Sequence, residues 1–272
     1  MVARVRRLLK TRAVGHAGTL DPFATGLLVV LVGRATRLAR FVEQQPKRYT
    51  ATARLGVVTA TDDLTGEVLG GGFAPAGPPS GEQVERELRA MLGRQLQRPP
   101  AFSAKRVEGV RSYRRARQGE TVVLPEVEVE IHDLELLDYA PPLVSFRVTV
   151  SPGTYVRAIA RDLGQRLGCG AHLTSLRRDA IGGITLEVAI PLEAVTSDAL
   201  RPPLDAVAHL PRLTVDAAQG RAIGFGQRPE VGAGVLEGRG LVTAVDLAGH
   251  LVAVGQVAAG RFEPQVVLEA AG

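Results

Sequence analysis

Hydrophobic and polar positions change period several times along the chain, and each change marks an element. At the N-terminus, VARVRRLLK sets Val2, Val5, Leu8 and Leu9 on one face, which predicts a short amphipathic helix. The apolar run in GLLVVLVG predicts a buried strand, RATRLARFVEQQ a helix after it, and the alternation in KRYTATARLGV a further strand. TATDDLTGEVLGG is polar and predicts a loop with a turn at Thr65–Gly66. SGEQVERELRAMLG carries its own start and stop signals: Ser80 as N-cap, Gln83 completing a capping box, and Gly93 as terminator. EVEVEIHDLELLDYA and PLVSFRVTVS alternate over long stretches, as antiparallel strands do. In PGTYVRAIARDLGQRLG the period becomes helical, with Val156, Ile159, Ala160, Leu163 and Leu167 on one stripe.

After PLDAVAHLP the texture changes. Pro202, Pro203 and Pro211 mark a linker, and the remainder is small-residue and Gly-rich, with short strands in LVTAVDL and HLVAVGQV. That predicts a small β-rich domain appended to a larger one, an organisation natural for 272 residues. No internal repeat interrupts this order.

Composition narrows the function. Apolar residues make up 45% of the chain, enough for a packed core, yet the run Leu27 to Val32 is far too short to span a bilayer. The N-terminus is basic but no long apolar segment follows it, so it does not read as a secretory signal. One cysteine, Cys169, excludes an intrachain disulfide framework and multi-cysteine metal sites. A soluble cytoplasmic protein is expected. The net charge of +5 conceals an asymmetry. Residues 1–50 hold ten Lys/Arg against Asp21 and Glu43, and residues 94–117 hold eight against Glu108. Basic charge concentrated in two segments is the footprint of a polyanion binder, although solvated helix faces give the same pattern. Of the 33 basic residues 30 are Arg, which suits planar phosphate contacts.

The chain has no Walker loop, G-x-G-x-x-G, H-E-x-x-H or Cys pair, and its five His are scattered. Neither a metal nor a phosphate-bearing cofactor is expected. Asp21, in VGHAGTLDPFATGLL, is the best candidate for chemistry, set against an ordinary Asx turn or helix cap before Pro22. Gly15 and Gly18 allow positive φ and a close backbone approach around His16 and Asp21. Tyr49 follows two cations in KRY, where a half-buried strand aromatic is the plain alternative. Tyr155 and Arg157 diverge if both are helical, so they reach one site only if Tyr155 still belongs to the turn.

The stretch GHAGTLDPFATGLLVVLVGRATR resembles the active-site signature of the bacterial tRNA pseudouridine-55 synthases, the TruB family. The resemblance continues through KRYTATARLG, PPAFSAKRVEGVRSYRRARQG, GTYVRAIARDLG and LGCGAHLTSLRR, in family order over residues 4–195. More weakly, LPRLTVDAAQGRAIGFGQ and VAVGQVAAGRFEPQVVL are similar to its PUA-like C-terminal domain. The implied fold is α+β: a mixed, largely antiparallel central sheet flanked by helices over residues 1–205, and a small β-rich PUA-like domain over 210–272. The resemblance implies catalytic roles for Asp21, Tyr155, in proton transfer, and Arg157, paired with the aspartate. It gives Tyr49 the stacking position on the target base, His16 a hold on the remodelled RNA loop, and Leu176 a pocket wall. The insertion from about Arg98 to Glu120 resembles an RNA-gripping thumb, whose cations include Lys105, Arg106, Arg111, Arg114 and Arg115.

The chemistry suits those residue types. Turning uridine into pseudouridine breaks a C–N glycosidic bond and forms a C–C bond without redox change, phosphate donor or metal. The target base must leave its stack and find an aromatic partner. A carboxylate can act as nucleophile or stabilise charge at the sugar, and an arginine beside it orients it through a charge-assisted bidentate contact. The implied reaction is isomerisation of uridine 55 in the tRNA T arm by a monomer without guide RNA or membrane. A tRNA-binding folding chaperone with secondary or lost catalysis is the alternative. Family members begin with a strand and a Lys-Pro motif ahead of the first helix. This chain starts at the helix, so that N-terminal strand is expected to be missing.

Overall fold

The computed structural model describes residues 1–102, 106, 107, 110, 111, 124–232 and 234–268, with the backbone alone for 106, 107, 110 and 111. In chain order come helix α1 (Val2–Leu8), strands β1 (Val14–Ala17), β2 (Thr25–Gly26) and β3 (Val29–Val32), a 3-10 segment Gly33–Leu38 and helix α2 (Ala39–Glu43). Next are β4 (Lys47–Leu55), β5 (Val58–Thr59), β6 (Val68–Gly70), α3 (Gly81–Arg89), β7 (Gly93–Gln97), β8 (Arg106–Val107) and β9 (Val110–Arg111). The long hairpin β10 (Val127–Ala140) and β11 (Leu143–Val150) leads to α4 (Val156–Arg166) and β12 (Ala171–Ile181). The remainder holds β13 (Ile184–Thr185), β14 (Arg212–Thr214), α5 (Ala217–Gly224), β15 (Leu241–Val245), β16 (Leu251–Ala258) and β17 (Arg261–Val267).

The chain divides into two compact units, one of Leu20–Leu27 with Gln45–Ile181, the other of Met1–Thr19, Leu28–Gln44 and Gly182–Gly272. In the first, the strands run β12-β4-β11-β10-β7 with antiparallel neighbours, and β2 adds to β12 in parallel. This is the expected mixed, largely antiparallel sheet. Alternation sets its buried face: Ala51, Ala53 and Leu55 of β4 and Val144, Phe146, Val148 and Val150 of β11 all turn inward. Val84 and Leu88 of α3 and Val156, Ile159, Ala160 and Leu163 of α4 close over them in one core. The stripe read from the α4 sequence is therefore the stripe that packs.

Two elements depart from their sequence pattern for local reasons. RATRLARFVEQQ, expected as one helix, begins as 3-10: Gly33 has φ +62° and the Thr36 hydroxyl donates back to the Gly33 carbonyl. α3 has the expected capping box between Ser80 and Gln83, but it ends at Ala90. Gly93, at φ +92°, opens β7 and pairs with Ile131. In TATDDLTGEVLGG the polar reading missed the paired strands β5 and β6 on either side of the turn.

The second unit contains α1, the β1–β3 pair, the 3-10 segment with α2, and the C-terminal sheet β14-β15-β16-β17. Val242, Ala244, Val252, Val257 and Phe262 of that sheet enclose Ile223 of α5 in a core of their own. An Asp216–Gln219 capping box starts α5. Arg34 and Arg37 donate to the Leu268 and Val267 carbonyls at 2.9 and 2.7 Å. No helix among the described residues is long and apolar enough to cross a membrane.

Candidate active site

Asp21 stands at the first corner of a tight turn. Its carbonyl accepts from the Ala24 N–H at 2.9 Å, with Pro22 supplying the fixed φ of the second position. The turn is closed by the backbone and not by the side chain, whose two oxygens accept from Arg157 instead, so it is not the Asx turn of the alternative reading. The segment leaving the turn is fastened to β12. The Leu27 N–H donates to the Arg178 carbonyl at 2.8 Å, and Arg178 Nε donates to the Leu27 carbonyl at 2.9 Å. Gly26 between them has φ +93°, and a Cβ there would collide with the Arg178 carbonyl oxygen, so the approach needs glycine.

On the other side Asp21 meets Arg157. Nε donates to Oδ2 at 3.0 Å and Nη2 to Oδ1 at 2.9 Å, a bidentate pair across 136 positions of sequence. The guanidinium itself is almost sealed, its side chain 5% exposed, whereas that of Asp21 is 28% exposed. Nη1 also donates to the Thr61 carbonyl at 2.9 Å and Nη2 to the Phe102 carbonyl at 3.0 Å, while Nη1 lies 3.6 Å from Asp63 Oδ2, an ion-pair distance. Four hydrogen bonds and this ion pair hold the fork, which cannot turn without breaking several contacts. Each Asp21 oxygen accepts one hydrogen bond from Arg157, and the side chain stays 28% exposed. The result is a carboxylate oriented from behind and open in front.

Asp63, which the sequence reading passed over as loop, is the second anchor. Its Oδ1 accepts from Thr61 Oγ1 at 2.7 Å, Thr65 N at 2.9 Å and Thr65 Oγ1 at 2.6 Å, which leaves Oδ2 for Arg157. Beside it Asp62 Oδ2 lies 3.1 Å from Arg161 Nη1, one helical turn beyond Arg157 on α4. Burial pushes the Asp62 carboxyl above its usual range, opposed by Arg161 and then Arg157. Asp162 is raised for the same reason, with Arg161 the main opposing charge.

Tyr49 of β4 sits directly opposite Arg178 of β12. The Arg178 side chain, 1% exposed, hydrogen-bonds its hydroxyl. Burial raises the phenol above its usual value, the Arg178 charge and hydrogen bond pull it back, and the Asp21 charge raises it further. Tyr49, Arg178 and Asp21 therefore share one electrostatic neighbourhood. The sequence signal for Arg178 was the strand period: Leu176 and Arg178 are two apart and share a face, with Arg177 turned to solvent against Asp179. Leu176, opposite Ala51, is buried in the core against which Phe23, Ala24 and Tyr49 pack. Tyr155 is the extended N-cap of α4, outside the helix, which meets the condition for sharing a site with Arg157; its N–H donates to Gln97 Oε1 at 2.9 Å.

His16 belongs to the other unit, on β1 opposite Val30, and its Nδ1 is buried without a hydrogen-bond partner among the described residues. Of the two glycines beside it, Gly18 has φ +80°; Gly15 lies within β1 and needs no positive φ. Lys105, Arg114 and Arg115 lie outside the described residues, while Arg106 and Arg111 face one another across the β8–β9 pair. Among the described residues no group of His, Cys, Asp and Glu is placed to hold a metal ion.

The model of the TruB family pseudouridylate synthase (N terminal domain) matches residues 6–156, and that of the tRNA pseudouridylate synthase B C-terminal domain matches 157–205. A tRNA pseudouridine synthase B of Synechococcus sp. (strain WH7803) is 42% identical over 284 residues, covering 100% of this chain and 93% of its own. One from Thermobifida fusca (strain YX) is 47% identical over 238 residues, covering 84% and 80%. Among solved structures, an H/ACA RNP bound to a substrate RNA containing 2'-deoxyuridine superposes with a TM-score of 0.75 at 22% identity. That match covers 99% of this chain and 80% of the other. The Nop10-Cbf5 complex of an archaeal box H/ACA sRNP gives 0.73 at 23%, covering 99% and 81%. At such identities these two likenesses concern the fold.

Proposed function

The chain belongs to the TruB family of pseudouridylate synthases, and on that premise we propose that it isomerises uridine 55 in the T arm of tRNA, with Asp21 as the catalytic carboxylate. The observation that carries the assignment is the Asp21–Arg157 pair, bidentate, buried on the arginine side and open on the carboxylate side. A nucleoside flipped into that opening finds Tyr49 as a stacking platform and Leu176 as an apolar wall. The C1′–N1 bond then breaks, the uracil turns, and C5 joins C1′. C5 gives up its proton and N1 gains one, so substrate and product are isomers and nothing is oxidised. Asp21 supplies the nucleophile or the counter-charge at C1′, and Tyr155 is assigned the C5 proton.

RNA is held elsewhere, by His16 and by Lys105, Arg106, Arg111, Arg114 and Arg115 of the insertion, in the form of phosphate contacts. We assign residues 1–205 to catalysis and 210–272 to a PUA-like RNA-binding domain, in a monomer that needs no guide RNA. The site uses no phosphate-bearing cofactor. Incubation with an unmodified T-arm stem-loop, followed by carbodiimide mapping, tests the assignment directly. A single new stop at position 55 is expected. Tight tRNA binding with no stop at any uridine overturns it in favour of a folding chaperone.

A further inference from the structure

Behind Asp21, two adjacent carboxylates face two arginines one helical turn apart. Arg157 and Arg161 are i and i+4 on α4 and therefore share a face. Successive side chains of an extended loop leave opposite faces, so Asp62 and Asp63 meet one helix only if the backbone kinks between them. The kink is at Asp62, a non-glycine residue with φ +57°. Its carbonyl accepts from the Leu173 N–H at 3.0 Å, which ties the same loop to β12. Arg161 spends its donors on Asp62 Oδ2 at 3.1 Å, Asp162 Oδ1 at 2.9 Å and the Arg98 carbonyl at 2.9 Å. None of these groups touches Asp21.

We propose that Asp62 and Arg161 are positioning residues for catalysis: their ion pair sets the register of the 59–67 loop on α4, so that Asp63 meets Arg157 and Arg157 is held square to Asp21. The inference rests on Asp21 and Arg157 being the reacting pair. A purely structural role is distinguishable, because it would lower stability without moving the Arg157 guanidinium, which Asp62 does not touch.

Asp62→Asn retains the size of the side chain and tolerates the left-handed backbone. Breaking this half-buried pair from one side should lower the melting temperature by a few degrees, an effect that Arg161→Gln should share. Turnover on tRNA should fall by about tenfold or more, as for a small misplacement of reacting groups. KM should stay within about threefold. Arg161→Lys should recover part of the turnover lost in Arg161→Gln. A second reading is independent of catalysis: the Arg157 Nε–H resonance, assigned by its loss in Arg157→Lys, should broaden or shift in Asp62→Asn. Normal turnover overturns the proposal, and so does a loss of turnover with an unchanged Arg157 resonance. If the unaltered protein makes no pseudouridine, the functional assignment fails by itself, and the Arg157 resonance still decides the positioning role.

Discussion

Replacing Arg157 by Ala removes four hydrogen bonds and one ion pair, and the partners do not suffer equally. The Asp21 side chain is 28% exposed and rehydrates. The Thr61 and Phe102 carbonyls are neutral, so losing one donor leaves no charge stranded there. The Asp63 side chain is 6% exposed and keeps only the three donors on Oδ1, so Oδ2 becomes a buried charge without its cation. Breaking a buried pair from one side costs about 3–5 kcal/mol, and the surviving hydrogen bonds argue for the lower end. For compact units of this size, about 3 kcal/mol lowers Tm by roughly 6–12 °C. The variant Asp63→Ala removes the stranded charge, so Arg157→Ala combined with it should cost less than the two single changes added together. The coupling expected for groups in one network is on the order of 2 kcal/mol. Thermal melts of the four proteins measure it. Additive losses would show that the 3.6 Å approach of Arg157 to Asp63 carries no energy, and the account of the second anchor would be wrong.

Three further outcomes rest on particular contacts. Gly26→Ala, at φ +93° against the Arg178 carbonyl, should destabilise by about 2 kcal/mol or more and displace the Asp21 turn; a normal melt would disprove the close approach. The Asp62 carboxyl is raised in the fold, so the folded chain takes up its proton more readily than the unfolded chain. Its contribution is therefore greatest below the unfolded value and is lost as pH rises through the folded one. Melts at a series of pH values should show the unaltered protein gaining on Asp62→Asn as pH falls from neutral towards about 4; a constant difference contradicts the sign. Changing Arg111, Arg114 and Arg115 together to Ala should weaken tRNA binding and reduce the slope of log affinity against log salt by about 2; an unchanged slope removes those arginines from the RNA contacts.

How much of this was legible in the sequence depends on whether the cause was local. The α4 stripe, the Ser80 capping box and the β10–β11 hairpin arise from period and from side chains a few residues apart, and the structure repeats them. Asp21 was conspicuous because it is one of two acids among ten cations and follows two glycines in a turn. Its partner Arg157 is 136 residues away, and the family resemblance rather than any spacing joined them. Asp63 was invisible for a different reason. TATDDLTGEV is polar throughout, and its burial arises when β5 and β6 pair and the loop between them meets Leu173 and α4. An arginine in a strand reads as solvent-facing, so Arg178 went unnoticed although Leu176 marked its face as buried.

The most direct test of the central claim compares the unaltered protein with Asp21→Asn on the same unmodified tRNA, measuring pseudouridine formed in a single turnover and affinity in parallel. The amide keeps the size of the carboxylate and can still accept from Arg157, but it has neither the charge nor the nucleophilicity the reaction needs. Pseudouridine formation should fall by orders of magnitude, while affinity stays within about threefold if, as proposed, the phosphate contacts are made by other residues. Near-normal turnover in Asp21→Asn would contradict the account: Asp21 would then be a turn residue held by Arg157, and the reacting carboxylate would have to be sought elsewhere.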